Sequence, residues 1–379
     1  MMSGMNASAR HPRYLHQTIA DDLARKMVFL GGPRQVGKTS LGKALIPEPA
    51  AYLNWDVAAH RALILKQQLP ATDAWFFDEI HKYRPWRNYL KGLYDLHGAS
   101  RRILVTGSAR LDYYRFGGDS LQGRYHYLRL HPFSVAELGI RTQDDFEQLL
   151  RLGGFPEPFL SGSHRQARRW ARDYRDRLMR DDVASLERID NLGQLELMVM
   201  RLPELVGSPL SLNGLREDLS QSHRTVANWI DVLERLYAIF RIAPFGAPRI
   251  RAVRKIQKHY HFDWSQVADE GARFENLVAS HLLKWVHWQQ DVEGRDAELR
   301  YFRDTDGREV DFVVMEGRNP VSFIECKLTD SGIGIGMRYL KQRFPKVDAW
   351  QVTARTTRDY LTREGVRVAP VLRLLEALK

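Results

Sequence analysis

The run "VFLGGPRQVGKTSLGKAL", residues 28–45, constrains the fold more tightly than any other stretch. Apolar residues lead into a glycine pair, and Gly32-x4-Gly37-Lys38-Thr39 then falls where a strand-like run gives way to helix-favouring composition. A loop of that spacing between a strand and a helix predicts a phosphate-binding turn at the edge of a parallel α/β sheet. Gly32 and Gly37 let backbone N–H groups converge on phosphate oxygens, and the start of the helix adds partial positive charge. Lys38 is placed to reach the β- and γ-phosphates of ATP, and Thr39, followed by Ser40, to ligate Mg²⁺.

Further strand-like runs fit that sheet. "AWFFDEIHK" ends on Asp78 and Glu79. Asp78 is expected to hold the Mg²⁺ shell, and Glu79 to polarise the water that attacks the γ-phosphate. "RRILVTGSARL" ends at Thr106-Gly107-Ser108, where Ser108 offers a hydroxyl to the γ-phosphate between the other two strands. "YLNWD" and "YHYLRL" supply two more strands, and strands alternating with helical stretches give the α/β class with the ligand at the strand C-termini. Arg124, after a Gly-rich loop, is a candidate for a transition-state arginine supplied to a neighbouring subunit, with Arg110 as its rival.

A chain of 379 residues, 44% of them hydrophobic, can bury more than one core. The single cysteine, Cys326, excludes an internal disulfide and a cysteine-based zinc cluster, so a reducing compartment fits. No run approaches the roughly 20 apolar residues of a membrane span, and the N-terminus lacks a secretory apolar region, which together suggest a cytoplasmic protein without membrane partners. The net charge of +11 points to a polyanion such as DNA. Part of that charge reads as solvated surface. In "RQARRWARDYRDRLMRDD", Arg169 with Asp173, Arg172 with Asp176 and Asp173 with Arg177 are spaced for ion pairs along one exposed helix.

"LGGFPEPF", residues 152–159, punctuates the end of the first domain. In the helical region that follows, Leu212, Leu215 and Leu219 mark one helix, and Val226, Trp229, Ile230 and Leu233 the inner face of a second, capped by Ser222. His223, Arg224, Asn228 and Arg235 fall on its outer face, and "YAIFRI" forms a wing strand. This winged helix-turn-helix pattern serves DNA contact and protein docking equally well. Near the C-terminus, "REVDFVV" and "SFIECKL" are joined by a turn. Alternation sends Phe312, Val314, Ile324, Cys326 and Leu328 to the core and puts Asp311, Glu325 and Lys327 together on the opposite face. Two carboxylates and a lysine so gathered can bind Mg²⁺ and position water for phosphodiester hydrolysis, with Glu275 of the amphipathic "FENLVASHLL" as a further metal-site acid. A merely charged strand face is the alternative.

In this order the motifs resemble prokaryotic AAA-type ATPases that carry a C-terminal restriction-endonuclease-like domain of the PD-(D/E)xK kind. The resemblance covers nearly the whole chain. It rests on GGPRQVGKTS, WFFDEIHK, VTGSARL, GRYHYLRLHPFS, GGFPEP, the run from DLSQSHRTVANWIDVLERL into IFRIAPF, FENLV, GREVDFVV and FIECK. It implies an N-terminal segment (1–20), a P-loop ATPase domain (21–150), a helical and winged-helix region (151–265) and a nuclease-like domain (266–379). It also implies Mg²⁺-dependent ATP hydrolysis by Lys38, Thr39, Asp78 and Glu79, and a nuclease-like site at Asp311, Glu325 and Lys327. Where relatives tend to carry an Asp-Gly pair, this chain has FDWSQVADEGARFEN. Rings are familiar among such ATPases, so a homo-oligomer is expected. Two functions stay open: an ATPase that processes DNA, and an ATP-regulated DNA- or protein-binding regulator, antitoxin-like, with an inactive nuclease-like domain.

Overall fold

The computed structural model describes residues 13–98, 100–107, 121–183, 191–246 and 257–378, with the backbone alone at 181–182. The chain packs as two compact units, Met1–Pro132 with Arg235–Tyr237, and Phe133–Glu234 with Ala238–Lys379.

The first unit opens with α1 (His16–Leu23), β1 (Met27–Gly31), α2 (Lys38–Leu45), β2 (Tyr52–Asn54) and α3 (Ala58–Leu65). It continues with β3 (Ala74–Asp78), α4 (Trp86–His97), β4 (Arg102–Thr106) and β5 (Tyr125–Arg129). Its five strands are ordered β2-β3-β4-β1-β5 with every pair parallel. β1 and β3 are buried along their whole length, as strands covered on both faces must be, which is why both read as unbroken apolar runs. Phe29, Leu53, Trp75, Phe77, Ile103 and Val105 share one core cluster, in which Phe29 stacks on Tyr125 at 4.4 Å. Because β4 lies between β1 and β3, with Thr106 paired to both Leu30 and Asp78, the three strand ends meet at one edge. The segment before α1 belongs to this unit. Arg13 is buried and donates to the carbonyls of Val36 (2.7 Å) and His131, and Tyr14 donates to Arg129 O at 2.5 Å.

The second unit begins with α5 (Val135–Leu138), α6 (Gln143–Leu152), α7 (Pro156–Ser161), α8 (His164–Arg177), α9 (Leu192–Arg201), α10 (Leu212–Asp218) and α11 (His223–Arg235). Then follow β6 (Ile239–Pro244), β7 (Lys258–His261), α12 (Glu270–Asp291), β8 (Ala297–Arg303), β9 (Glu309–Glu316) and β10 (Asn319–Lys327). It closes with α13 (Ile335–Arg343), β11 (Asp348–Thr353), β12 (Tyr360–Leu361), β13 (Arg367–Pro370) and α14 (Val371–Leu375). Its mixed eight-stranded sheet runs β12-β13-β11-β10-β9-β8-β6-β7. Residues 133–150, expected in the ATPase domain, pack here. Lys284 is buried against Glu137 and Ser134, and Trp264 Nε1 donates to Leu149 O at 3.2 Å.

The helix pair matches its sequence pattern. Val226, Trp229, Ile230 and Leu233 are buried, Ser222 Oγ accepts from Thr225 N at 3.0 Å, and His223, Arg224, Asn228 and Arg235 are exposed. The expected wing differs in one respect. β6 pairs antiparallel with β7 but also runs parallel to β8 at Ala243 and Pro244, so it is a strand of the C-terminal sheet and does not stand free. The arginine-rich helix α8 is not wholly exposed either. Ala167, Trp170 and Tyr174 form a buried stripe against Phe155, and Arg172 lies 3.8 Å from Asp173. At the end of β10, Cys326 and Leu328 are half-buried where a core position was expected, whereas Glu325 is 5% exposed.

One glycine controls the approach of the phosphate loop. Gly32 has φ +131°, and a Cβ there would lie 2.3 Å from Leu130 O. Gly123 has φ +83°, and a methyl added there would meet nothing within 4 Å. Gly32→Ala therefore combines a backbone overlap with a forbidden φ and should cost about 3 kcal/mol or more. Gly123→Ala meets only the φ penalty, about 1 kcal/mol. Urea denaturation of the two variants checks the ranking, and equal losses would refute it.

Candidate functional site

The first site is built at the shared edge of β1, β3 and β4. Gly37, at φ 100°, caps α2, and helix geometry leaves the first amides of that helix without a carbonyl four residues back. Lys38 is 8% exposed, and its ammonium folds onto the loop's own carbonyls, 2.8 Å from Gly32 O and 2.6 Å from Pro33 O. That posture puts one cation at the centre of a glycine-lined turn. Thr39 is half-buried and Ser40 exposed beside it.

Asp78 joins the loop to the sheet. Its Oδ2 accepts from Thr39 Oγ1 at 2.9 Å and from Tyr52 OH at 2.9 Å, and its Oδ1 from Thr106 Oγ1 at 2.6 Å. Among the described residues no lysine or arginine pairs with this carboxylate, although it is 6% exposed. Burial, with the charge of Asp78 second, pushes the Tyr52 hydroxyl up to about 12, so Tyr52 stays protonated and remains a donor. The residues fit a nucleotide with its metal: a hydroxyl and a carboxylate oxygen, both hard donors, stand side by side, and the carboxylate's charge is met only by neutral dipoles.

Glu79 follows in a left-handed conformation at φ 58°, a strain that turns its side chain away from the line of β3. Its Oε2 lies 3.4 Å from Lys82 Nζ and 3.6 Å from His81 Nε2, and Lys82 also reaches Asp56 at 2.6 Å. Burial draws the Lys82 ammonium down, but Asp56 and Glu79 outweigh it and hold it above its ordinary value. Arg124 stands apart from this group. It precedes β5, so it marks the opposite edge of the sheet from the loop, and its guanidinium makes a two-point bond to Asp95, with Nε at 2.7 Å and Nη2 at 3.4 Å. Ser108 and Arg110 lie outside the described residues. Sequence reasoning missed Tyr52 and Arg13. A tyrosine beginning a short strand, and a lone arginine before the first helix, carry no local signal.

The second constellation lies in the C-terminal sheet. The structure brings Glu275 and Asp311 together as expected, but around a residue that composition hid: Lys258 of β7. Its side chain is 1% exposed, and Nζ lies 2.6 Å from Glu309, 3.3 Å from Glu275 and 3.9 Å from Asp311. Tyr260 donates to the same oxygen of Glu275 at 2.7 Å, and Cys326 N to Asp311 at 2.8 Å. Glu325 pairs with Lys327 at 2.7 Å, and its carboxylate sits where a Cβ on Gly334, the N-cap of α13, would approach within 2.8 Å. Burial works against the Lys258 charge, yet Glu275, Asp311 and Glu309 together hold the ammonium above its ordinary value. Burial, then the charge of Asp311, pushes Glu275 up to about 7. The metal set expected from Asp311, Glu325 and Glu275 is not assembled. Among the described residues no three Asp, Glu, His or Cys side chains stand in a geometry that holds an ion, because an ammonium occupies the middle of the carboxylates. These residues do not fit a metal centre.

Comparison with known proteins agrees with a nucleotide-binding fold in the first unit. Residues 24–139 match a family model described as an AAA domain, 143–268 a domain of unknown function (DUF8612) and 270–374 another (DUF4143). The first unit thus carries an AAA-type ATPase domain, a fold that implies nucleotide binding. The chain is 24% identical over 341 residues to "Uncharacterized protein Rv2008c" of Mycobacterium tuberculosis and equally to "Uncharacterized protein Mb2031c" of Mycobacterium bovis, covering 83% of this chain and 74% of each relative. Among solved structures it is similar to the Walker-type ATPase PABY2304 of Pyrococcus abyssi, at 13% identity, 68% and 94% coverage and TM-score 0.43. It is also similar to the Thermotoga maritima RuvB Holliday junction branch migration motor, at 18% identity, 60% and 88% coverage and TM-score 0.27. Both likenesses are too weak to bear on chemistry. No helix among the described residues is long and apolar enough to cross a membrane.

Two measurements check this geometry. Thr106→Val keeps the shape but leaves a buried oxygen of Asp78 without its donor, and should cost about 1–3 kcal/mol in urea denaturation; an unchanged midpoint would contradict the bond. Glu275 holds its proton in the folded state up to about 7, whereas its ordinary value is 4.5. Its contribution is therefore present at acid pH and lost as pH rises through about 7. Between those limits the wild-type Tm should fall relative to that of Glu275→Gln, and parallel curves would refute the shift.

Proposed function

We propose that the protein is a Mg²⁺-dependent ATPase that acts on DNA. The observation that carries the ATPase half is the junction of Lys38, Thr39 and Asp78. A buried carboxylate held by three hydroxyls, next to a glycine-lined loop with a central ammonium, is arranged for a phosphate-bound cation. Lys38 would bind the phosphates, Thr39 and Asp78 would hold Mg²⁺ and its water shell, and bound Mg²⁺ would neutralise charge on the γ-phosphate. Glu79 would accept a proton from the attacking water after leaving Lys82. Arg124 would serve only a neighbouring copy, which makes a homo-oligomer part of the proposal.

The DNA half rests on charge and exposure. The chain carries a net +11, and α11 presents His223, Arg224, Asn228 and Arg235 to solvent. Such a face suits phosphate contacts that carry no sequence preference. The second reading, an ATP-regulated binding protein with an inactive nuclease-like domain, is favoured by one observation: Lys258 lies among the carboxylates that cleavage would need for metal. The C-terminal unit then grips DNA or a protein partner and does not cut.

Lys38→Ala should abolish tight ATP binding, whereas Glu79→Gln should bind ATP and hydrolyse it about 10²-fold more slowly. Calorimetry and phosphate release separate the two, and an E79Q variant as fast as wild type would remove Glu79 from the mechanism. DNA affinity of the wild type should fall steeply with salt, with slope set by the number of phosphates engaged. A flat response would favour the protein-docking form of the second reading.

A further inference from the structure

The second unit gathers four acidic side chains near one another, Glu325 buried and Glu275, Glu309 and Asp311 half-buried, and the means by which it tolerates them says what the site can take up. Glu275 comes from α12, Glu309 and Asp311 from β9, and Glu325 from β10. Like charges at this density cannot be buried without compensation. Proteins meet such crowding by protonation, by hydrogen bonds, by a divalent ion or by a fixed organic cation. Here Lys258 stands within 4 Å of three of the acids with its side chain 1% exposed, and its Nζ lies over the ring of Tyr301, 5.5 Å from the centroid. The strand that delivers it is fixed on both sides. β7 pairs with β6, and Asn276 of α12 both accepts from His261 N at 2.8 Å and donates to His261 O at 2.7 Å. The backbone that carries Lys258 is thus held between β6 and α12.

The fourth acid is treated in the same way. Glu325 pairs with Lys327 and faces the start of α13, where the first amides carry partial positive charge. Its Oε2 is buried and has no hydrogen-bond partner among the described residues.

We infer that Lys258 is the resident cation of the C-terminal carboxylate cluster, an internal ammonium that takes the place of a divalent metal and closes the site to Mg²⁺ and Mn²⁺. The cluster is then a preformed, metal-independent element. Lys327, the more exposed of its two lysines, is left as the group that meets a phosphate of a polyanionic partner.

The test uses the full chain in a Lys38→Ala background, which silences the nucleotide site, with Mn²⁺ as probe and electron paramagnetic resonance as readout. The K38A protein should bind as many Mn²⁺ ions as K38A carrying Asp311→Asn. If K38A binds one more ion than that double variant, the cluster takes metal with Lys258 in place, and the inference fails. Replacing Lys258 by Met removes the charge and keeps the length. K38A/K258M should lose on the order of 10 °C in Tm and regain it in millimolar Mn²⁺, with new Mn²⁺ binding that disappears on adding Glu325→Gln. A K258M protein as stable as its parent, or one that Mn²⁺ neither binds nor restores, would overturn the inference. Should K258M fail to fold, the comparison of K38A with K38A/D311N still decides.

Discussion

Burying a carboxylate is the constraint around which both units of this protein are organised. An isolated buried charge costs several kcal/mol, so each one dictates what its neighbours must supply. In the first unit the charge is Asp78, and the response is three hydroxyls from three elements: Thr39 at the start of α2, Tyr52 at the start of β2 and Thr106 at the end of β4. Those bonds fix the strand order as much as the core does, since β4 must lie beside β3 for Thr106 to reach Oδ1. They also leave the negative charge itself unneutralised among the described residues, so the edge of the sheet keeps an appetite for a cation brought by a ligand.

The second unit meets the same difficulty with the opposite remedy. Glu275, Glu309 and Asp311 gather around Lys258, with Arg303 also 3.5 Å from Glu309, and Glu325 pairs with Lys327 near the start of α13. A site satisfied this way gains little from metal and would have to expel a buried ammonium to admit it. The contrast gives the two carboxylate groups different tasks on one chain. One waits for a charge that arrives with nucleotide, and the other already holds ammonium groups of its own.

Local spacing made the first site readable. Lys38 and Thr39 are adjacent, Asp78 and Glu79 end an apolar run, and each half of the site carries its own contiguous strand or helix signal. Tyr52 and Arg13 escaped because their role depends on which strand lies beside which. The second site was half legible. Alternation pointed to a shared face for Asp311, Glu325 and Lys327, and the amphipathic helix pointed to Glu275. Lys258 gave no sign of itself, for one lysine in a run with several basic residues carries no local mark, and the pairing of β7 with β6 and α12 places that lysine inward. The wing strand was seen only in part for a related reason. β6 has two partners, and hydrophobic pattern cannot tell a free hairpin from one extended by a third strand.

The central claim is that one carboxylate site recruits its cation with nucleotide while the other carries its own. The most direct measurement is the number of Mn²⁺ ions bound per chain by the Glu79→Gln protein as ATP is titrated in. The account predicts a single ion that appears in step with ATP and is absent without it. A second ion bound at either end of the titration, or one bound before any nucleotide is added, would contradict it.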